Sequence, residues 1–452
     1  SNSNPSFAGE MSIGAGRFIE INNAWRVTSA GELNFDGGTT ASTDAELRGA
    51  ALEVDGTVNV DKRADINVPV TLDPTGVINL PDSDDRLDLG DSADTITYNG
   101  GTITGDGTLV QIGDALVTTN STVNINVGIY DWDIGGGADL TATTLQNGAS
   151  MIIDVGDLND QHDGNVTLNA TSMLSVTTGT GDWDYDGIMT FNPAGFGTSM
   201  VNGSTMIVTA NGLLHFQGGT GVVNPDVGMT GDILVEGIAD FNGTIGFAST
   251  SVTTLNGGIL RFNGPFTNYN GSTFTGSGTI QQNGSGAIVT DQTVNITGTF
   301  DWDGAANNSQ FFVNPGTTFT LNATNINLGN DTYSGQLNLL AGTVIVDVAS
   351  DLWTMAGTLR MTGAIGQGGI VLGDPVDISG DVETDFGEAH TFAAPSQFLA
   401  GSTSDVAAGT ELRFNAPVTW TGGTHSGSGI ISVNDTGTVD GGTIDIGEVQ
   451  IG

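Results

Sequence analysis

The sequence predicts an all-β protein, an elongated parallel β-solenoid of about twenty coils, each of roughly 20 to 25 residues. Three observations predict this fold: a long internal repeat, an even spread of Gly and Asn, and short runs of alternating apolar and polar residues. Apolar residues recur at every second position in Val166-Thr167-Leu168 and Phe319-Thr320-Leu321, which is the pattern of half-buried strands. Helical spacing is nearly absent, so short strands separated by turns are expected throughout.

The internal repeat is carried by motifs that return in the same order. Asp131-Trp132-Asp133 returns as Asp301-Trp302-Asp303, and Gly105-Asp106-Gly107 returns as Gly276-Ser277-Gly278 and Gly427-Ser428-Gly429. The unit is roughly 150 to 180 residues long. Phased on Asp-Trp-Asp, the chain has a partial unit at 1–130, a full unit at 131–300, and a unit at 301–452 that stops near its end. We expect one continuous solenoid cut from a longer array.

Other architectures fit the pattern less well. Tandem sandwich domains would show linkers between domains, and propeller blades would repeat every 40 to 50 residues or so. Disorder is disfavoured by the regular apolar alternation. A solenoid needs small or left-handed residues at each corner, which the spread of Gly and Asn supplies. Right-handed winding is expected, since connections between parallel strands are right-handed in about 98% of cases.

Composition limits the partners. The chain has 452 residues with 51 acidic and 9 basic side chains, a net charge of −42, and Lys62 as its sole lysine. Such a surface disfavours nucleic acid and anionic membranes and keeps molecules apart in solution. With no cysteine, disulfides and thiolate metal sites are excluded. No apolar run approaches a membrane span of about 20 residues, and we expect any signal peptide to be absent or already removed.

Much of the sequence resembles a known class of proteins. Phrases such as Gly257-Gly258-Ile259-Leu260-Arg261-Phe262-Asn263-Gly264 and Gly276-Ser277-Gly278-Thr279-Ile280 resemble large secreted bacterial β-helix surface proteins, such as autotransporter passengers and filamentous adhesins. The resemblance covers most of the chain and concerns the fold. It implies an extracellular or cell-surface location.

The sharpest local motif is Asp182-Trp183-Asp184-Tyr185-Asp186-Gly187. Alternating carboxylates before a Gly turn begin calcium loops, so Asp182, Asp184 and Asp186 are candidate Ca²⁺ ligands. Pro193 stands where a closing Glu would be needed, which excludes an EF-hand. The alternative is a solvated turn, with Trp183 and Tyr185 on one face of a strand and the aspartates on the other.

The repeat tests this motif internally. Trp183 and Gly187 correspond to Trp353 and Gly357, whereas the three aspartates correspond to Leu352, Thr354 and Ala356. The Trp and Gly residues are therefore interpreted as architectural markers of the repeat. The aspartates are local to one copy.

Other polar motifs allow two interpretations each. Trp132 and Trp302 could be exposed for sugar stacking between carboxylates, or packed inward with the flanking aspartates outward; the second is favoured. The acidic clusters at 82–88 and 157–164 could be calcium sites or shared turns. The four histidines lie far apart in no ligand spacing, so no catalytic or metal role is expected for them.

These observations favour a non-enzymatic structural protein, a rigid solenoid rod that serves as a filament subunit, stalk or surface-layer component. The first alternative is a carbohydrate-binding or cell-adhesion β-helix, and the second is a glycan-active enzyme. No cofactor is required, although Ca²⁺ is possible. The expected partners are further copies stacked head to tail, further repeats of the same chain, and possible glycans, without nucleic acid or membrane insertion.

Overall fold

Parallel strands stacked turn upon turn make up the structure of this chain, a computed structural model. It describes residues 5–90, 94–112, 116–134, 142–158, 164–179, 181–192, 197–270, 272–276, 278–282, 287–290, 294–301, 310–313, 318–323, 332–333, 335–348, 351–363, 368–385 and 389–452. The chain divides into two compact units, Ser1–Val227 and Gly228–Gly452. Each unit is a stack of solenoid turns.

In its described residues, the first unit contains short strands and the 3₁₀ helix Ala41–Thr43. Its strands are β1 Ser6–Phe7, β2 Glu10–Gly14, β3 Phe18–Ile21, β4 Trp25–Val27, β5 Glu32–Asp36, β6 Ala45–Gly49, β7 Leu52–Val54, β8 Thr57–Asp61, β9 Arg63–Asn67, β10 Val70–Leu72, β11 Val77–Leu80, β12 Arg86–Leu89, β13 Thr95–Tyr98, β14 Thr102–Gly105, β15 Thr108–Ile112, β16 Leu116–Thr119, β17 Thr122–Ile134, β18 Ala142–Leu145, β19 Ser150–Leu158, β20 Asn165–Asn169, β21 Met173–Thr178, β22 Asp182–Tyr185, β23 Ile188–Asn192, β24 Thr198–Gly203, β25 Thr205–Val208, β26 Leu213–Phe216 and β27 Thr220–Val223.

The second unit has the same build. Its strands are β28 Val227–Met229, β29 Asp232–Val235, β30 Ile238–Phe241, β31 Ile245–Phe247, β32 Val252–Leu255, β33 Ile259–Phe262, β34 Phe266–Tyr269, β35 Thr273–Gly276, β36 Thr279–Gln282, β37 Ala287–Thr290, β38 Val294–Asp301, β39 Gln310–Val313, β40 Thr318–Ala323, β41 Thr332–Tyr333, β42 Gln336–Leu340, β43 Thr343–Val348, β44 Trp353–Met355, β45 Thr358–Thr362, β46 Ile370–Gly373, β47 Val376–Ile378, β48 Asp381–Asp385, β49 Ala389–Phe392, β50 Ser396–Phe398, β51 Thr403–Val406, β52 Glu411–Phe414, β53 Val418–Trp420, β54 Thr424–Val433, β55 Gly437–Val439 and β56 Thr443–Ile451.

Most turns have three strands, and each strand pairs in parallel with the third strand after it, as β4 does with β7 and β7 with β10. This pairing confirms the predicted parallel β-solenoid. The turns number about 16, against about twenty predicted. In some places two strand segments merge across a corner, as in the long strands β17 and β19.

The core follows from the period-two pattern, because successive side chains of a strand alternate between the two faces. In the first unit Leu33, Val58, Ile78, Ile103 and Ile125 lie in register on consecutive strands. All five are at most 1% exposed. The inward column is continuous, and each residue buries its neighbours above and below.

The second unit repeats this arrangement with aromatic residues. Phe392 stacks on Phe414 with ring centroids 5.4 Å apart, and Phe398 stacks on Trp420 at 6.0 Å. These pairs are in register between consecutive turns. Offset stacking of this kind adds to the energy of burial.

Outside the core, polar side chains bind one turn to the next. Asn59 donates to Asn34 at 2.9 Å, and Asn79 donates to Asn59 at 3.3 Å. Asn263 likewise donates to Asn242 at 2.9 Å. Such ladders explain why asparagine recurs along the chain. Among the described residues, no helix has the length and hydropathy to cross a membrane.

Candidate functional site

The Asp182–Gly187 motif forms strand β22 and the corner that follows it. Trp183 and Tyr185 are buried, at 3% and 0% exposure, whereas Asp182 and Asp184 are exposed. The predicted division between the two faces of this strand is confirmed. The ring centroids of Trp183 and Tyr185 are 6.0 Å apart in an edge-on contact.

Asp186 is engaged in holding the next turn. Its carboxylate accepts hydrogen bonds from the Thr209 hydroxyl, from the Asn211 amide nitrogen at 3.2 Å, and from the Asn211 side chain at 3.0 Å. Among the described residues, Asp182, Asp184 and Asp186 do not form a carboxylate group with ligand atoms within 4.8 Å of one another. Calcium binding at these three residues stays a prediction.

The residues interpreted as markers of the repeat, Trp183 with Gly187 and Trp353 with Gly357, occupy equivalent positions in their turns. Trp353 is 1% exposed and lies in β44, and Gly357 lies at the corner before β45, as Gly187 lies at the corner before β23. Trp132 belongs to strand β17, but its side chain lies outside the described part of the structure. Trp302 also lies outside it.

The expectation of outward aspartates around Trp132 is wrong at Asp131, which is 2% exposed. Here β15 and β17 shift register between Val110 and Ile112, and the adjacent residue Tyr130 is buried as well. The partners of Tyr130 and Asp131 are Leu109 and Val110, which are buried as well, so the alternation of faces is lost in both strands just before the register shift.

The acidic cluster at 82–88 contains a closely spaced group. Ligand atoms of Asp82, Asp84 and Asp85 lie within 4.8 Å of one another. Asp85 is 1% exposed, and its carboxylate accepts from the backbone nitrogens of Lys62 at 2.8 Å and Asp82 at 2.7 Å. Much of the second acidic cluster, at 159–163, lies outside the described residues.

Lys62 supplies a cation to this cluster. Its Nζ lies 2.9 Å from Asp84, and this hydrogen bond lowers the pKa of the Asp84 carboxyl. The ammonium group balances the charge of Asp84, and it also lies 3.7 Å from the Asp61 carboxylate. The cluster has the character of a lysine-bridged turn.

A column of carboxylates follows the outer face of strands β6, β9 and β12. Glu46, Asp65 and Asp88 are consecutive in register. Arg86 binds Asp88 at 2.7 Å, and Arg63 lies 3.5 Å from the same carboxylate. The arginines therefore balance the negative charge of Asp88, at the end of the column, more fully than that of Asp65 at its centre.

Asp65, at the centre, has the most perturbed acid–base equilibrium of this column. Burial, together with the negative charge of Asp88, raises the pKa of Asp65 to about 6. Its Oδ1 is buried and has no hydrogen-bond partner among the described residues. By contrast, the hydrogen bond from Arg48 lowers the pKa of Glu46. Neighbouring carboxyls with opposite shifts are a common feature of functional sites.

A groove opens over this column, and we call it the N-terminal groove. It is a cavity of about 290 Å³ lined by Gly16, Arg17, Phe18, Ala41, Ser42, Asp44, Glu46, Arg48 and Asp65. Its floor is the outer face of β3, β6 and β9, where Phe18, Glu46 and Asp65 are in register. Its rim is the 3₁₀ helix, which is fixed by the hydrogen bond from Gly16 N to Thr43 O at 2.9 Å.

No sequence motif indicates this groove. The available signal is the distribution of basic residues, because six of the nine fall in the segment from Arg17 to Arg86. Because the chain as a whole has a net charge of −42, this segment is distinguished by basic side chains that lie among acidic ones.

The last turns present a different surface, which we call the open terminal turn and which comprises β55 and β56. Its inward positions are Val439, Val449 and Ile451, which are 60%, 50% and 81% exposed. They line an apolar cavity of about 120 Å³ together with Trp420, Ile431 and Val433.

Two of the histidines are packed within the core. His390 and His425 are 0% exposed, and burial lowers the pKa of each. His425 contacts Ser404 through Nδ1 at 2.9 Å, and His390 Nδ1 accepts from the Gly369 backbone at 3.1 Å. Both are neutral core residues at physiological pH.

No known protein-family model matches the chain. A search of curated proteins likewise finds no match.

Proposed function

We propose that this chain is a structural protein of the cell surface or extracellular space, a β-solenoid building block of a filament, stalk or surface layer. Its mechanism is the addition of one parallel turn to another. The observation that carries this proposal is the stacking of parallel turns on continuous inward apolar columns, which at the open terminal turn continue to the surface.

The register shows how the core reaches this surface. Leu412, Ile431 and Val449 form one inward column, and their exposure is 0%, 2% and 50%. The parallel column from Phe414 through Val433 ends at Ile451, with exposures of 1%, 4% and 81%. The last residue of each column has the inward orientation but lacks the turn that covers its predecessors.

Covering these residues would release energy. Fully burying a Val or Ile side chain stabilises by about 1.5 to 3 kcal/mol. The outer strand β56 also presents backbone groups that a further parallel strand can pair. A second copy of the chain, or further turns of the same polypeptide, would supply that strand, and both agree with a structural role.

The acidic surface supports this role. Turns are joined through inward apolar columns and uncharged asparagine ladders, while the net charge of −42 opposes lateral clumping. The inward positions of the open terminal turn, Val439, Val449 and Ile451, are apolar and exposed, so assembly is favoured there.

Light scattering of the purified 452-residue chain tests the proposal. The chain should associate as its concentration rises, and the double variant Val449→Asp/Ile451→Asp should stay monomeric. Leu116→Asp is the matched control, because Leu116 is 53% exposed outside the open terminal turn; it should associate like the wild type. A monomeric wild-type chain at all concentrations would refute the assembly of copies through the open terminal turn.

A further inference from the structure

The N-terminal groove has the lining of a ligand site. A pocket of about 300 Å³ is at the small end of the range for bound organic molecules. The cavity of about 290 Å³ therefore suits a ligand of about one ring or a chain passing across it.

The groove combines donors and acceptors at short spacing. Asp44, Glu46 and Asp65 contribute carboxylate oxygens, and Arg17 and Arg48 contribute guanidinium donors. Arg63 holds Asp44 at 3.0 Å, and Arg48 hydrogen-bonds to Glu46. These ion pairs fix the directions of the polar groups before a ligand arrives, which reduces the cost of binding.

An apolar surface lies beside these polar groups. The Phe18 ring is 57% exposed, and the Arg48 guanidinium lies 5.0 Å from its centroid. The arginine restrains the ring while leaving much of it open to solvent. An exposed aromatic ring next to charged hydrogen-bonding groups suits a ligand with both C–H and hydroxyl surfaces.

The arginines and carboxylates in the lining determine which class of ligand the groove favours. Two arginines in the lining disfavour a bare divalent cation, and three carboxylates disfavour phosphate or another anion. A neutral molecule with many hydroxyl groups avoids both penalties, because each hydroxyl both donates to a carboxylate and accepts from a guanidinium.

We propose that the N-terminal groove binds a neutral pyranose sugar, with one C–H face on Phe18 and its hydroxyls between Asp65 and Arg17. Asp65 is the central acceptor, because it lines the groove at the middle of the carboxylate column, in register between Glu46 and Asp88. Burial raises the pKa of Asp65 to about 6, so the carboxylate that accepts from hydroxyls predominates at neutral pH. The site is independent of the open terminal turn and gives a structural protein a glycan contact.

Saturation-transfer NMR with methyl β-glucoside, methyl β-galactoside and methyl α-mannoside tests this proposal on the full chain. At least one glycoside should bind in the millimolar range. Phe18→Ala should weaken binding about tenfold, and Asp65→Asn should weaken it without destabilising the fold. Leu116→Ala, which removes an exposed apolar side chain elsewhere, should bind as the wild type does.

Three results would overturn the proposal. They are the absence of transfer to all three glycosides, full binding by Phe18→Ala, and competition of the glycoside signal by inorganic phosphate. Because Phe18 is exposed, an unchanged unfolding midpoint in Phe18→Ala will show that any lost binding is local. Loss of end-on association in Val449→Asp/Ile451→Asp should leave this binding unchanged.

Discussion

Gly105 lies so close to Leu80 of the preceding turn that a Cβ atom on it would be 1.9 Å from the Leu80 carbonyl oxygen. Its φ angle is +126°, a region that side-chain-bearing residues rarely adopt. Gly276 and Gly427 have the same relationship, with distances of 2.0 Å to Leu255 and 2.1 Å to Val406. These are the first glycines of the repeated Gly-x-Gly motif, which therefore marks a corner where two turns touch.

Alanine at these corners should be severely destabilising. Gly105→Ala or Gly427→Ala must move the backbone of a neighbouring turn and adopt a strained φ, for a loss of more than about 3 kcal/mol. Gly246→Ala is the control, since a Cβ there meets nothing within 4 Å, and it should change stability by less than about 1 kcal/mol. Urea unfolding measures both. Equal stability of Gly105→Ala and Gly246→Ala would contradict the corner assignment.

The buried tryptophans provide a second prediction. The indole N–H groups of Trp183 and Trp353 are buried without a hydrogen-bond acceptor among the described residues. Trp183→Ala should cost about 3 to 5 kcal/mol. Trp183→Phe should destabilise the chain much less. It removes the unpaired indole N–H, whose burial itself costs about 1 to 3 kcal/mol.

Chemical denaturation of the Trp183 variants checks this difference. Ile188→Ala, three residues after Tyr185 and 42% exposed, is the control and should have little effect. If Trp183→Phe were as damaging as Trp183→Ala, the indole would have a polar role that packing does not explain.

The repeat, the corners and the inward columns were predictable because each depends on local pattern. Gly276 was identified from its repeated Gly-x-Gly motif, and Trp183 from period two. The N-terminal groove was not predictable, because it needs the register that places Glu46 beside Asp65. Turn length varies: 18 residues separate Leu52 from its partner Val70, and 26 separate Val70 from Ile96. Sequence spacing alone cannot supply that register.

The burial of Asp131 is a second feature that the sequence does not predict. Asp131 pairs with the buried Val110 next to a register shift between β15 and β17, where a strand continues through a place at which other turns have a corner. Local alternation predicts an outward side chain, and the pairing with the neighbouring strand overrides it.

Acid should affect stability through Asp65 in a defined direction. Its folded pKa is raised from 3.8 to about 6, so the folded state binds this proton more readily. The contribution of Asp65 to the free energy of unfolding therefore rises as the pH falls through 6 and levels off below about 4. Asp65→Asn should stabilise the chain by about 1 kcal/mol at pH 7.5, after allowance for solvent screening, and by less at pH 5.

The buried histidines have the opposite effect on the free energy of unfolding, which they lower as the pH falls. Burial lowers the folded pKa of His390 and His425, so their stabilising contribution is present above about pH 6.5 and is lost as the pH falls below it. In Asp65→Asn the gain from protonating Asp65 is absent, so the loss from the histidines is not offset. The free energy of unfolding of this variant should therefore fall more steeply between pH 6.5 and 5 than that of the wild type. Denaturation at several pH values measures it. Destabilisation by Asp65→Asn at pH 7.5 would contradict the assigned pKa shift.

Lys62 should determine how the Asp82–Asp85 group responds to calcium. Lys62→Asn removes the ammonium and retains a residue that tolerates the φ of +73°. The variant should gain thermal stability on addition of Ca²⁺, and the wild-type cluster should not. Asp84→Asn in the Lys62→Asn background is the control and should abolish the gain. Absence of a calcium response in Lys62→Asn would show that the lysine does not substitute for a cation.

Cryo-electron microscopy of the concentrated chain tests the central claim most directly, because it images the open terminal turn itself. We predict particles joined through β56, with a parallel strand at a spacing of about 4.8 Å over Val449 and Ile451. Separate particles in which Val449 and Ile451 stay uncovered by any neighbouring chain would contradict a structural role based on turn addition.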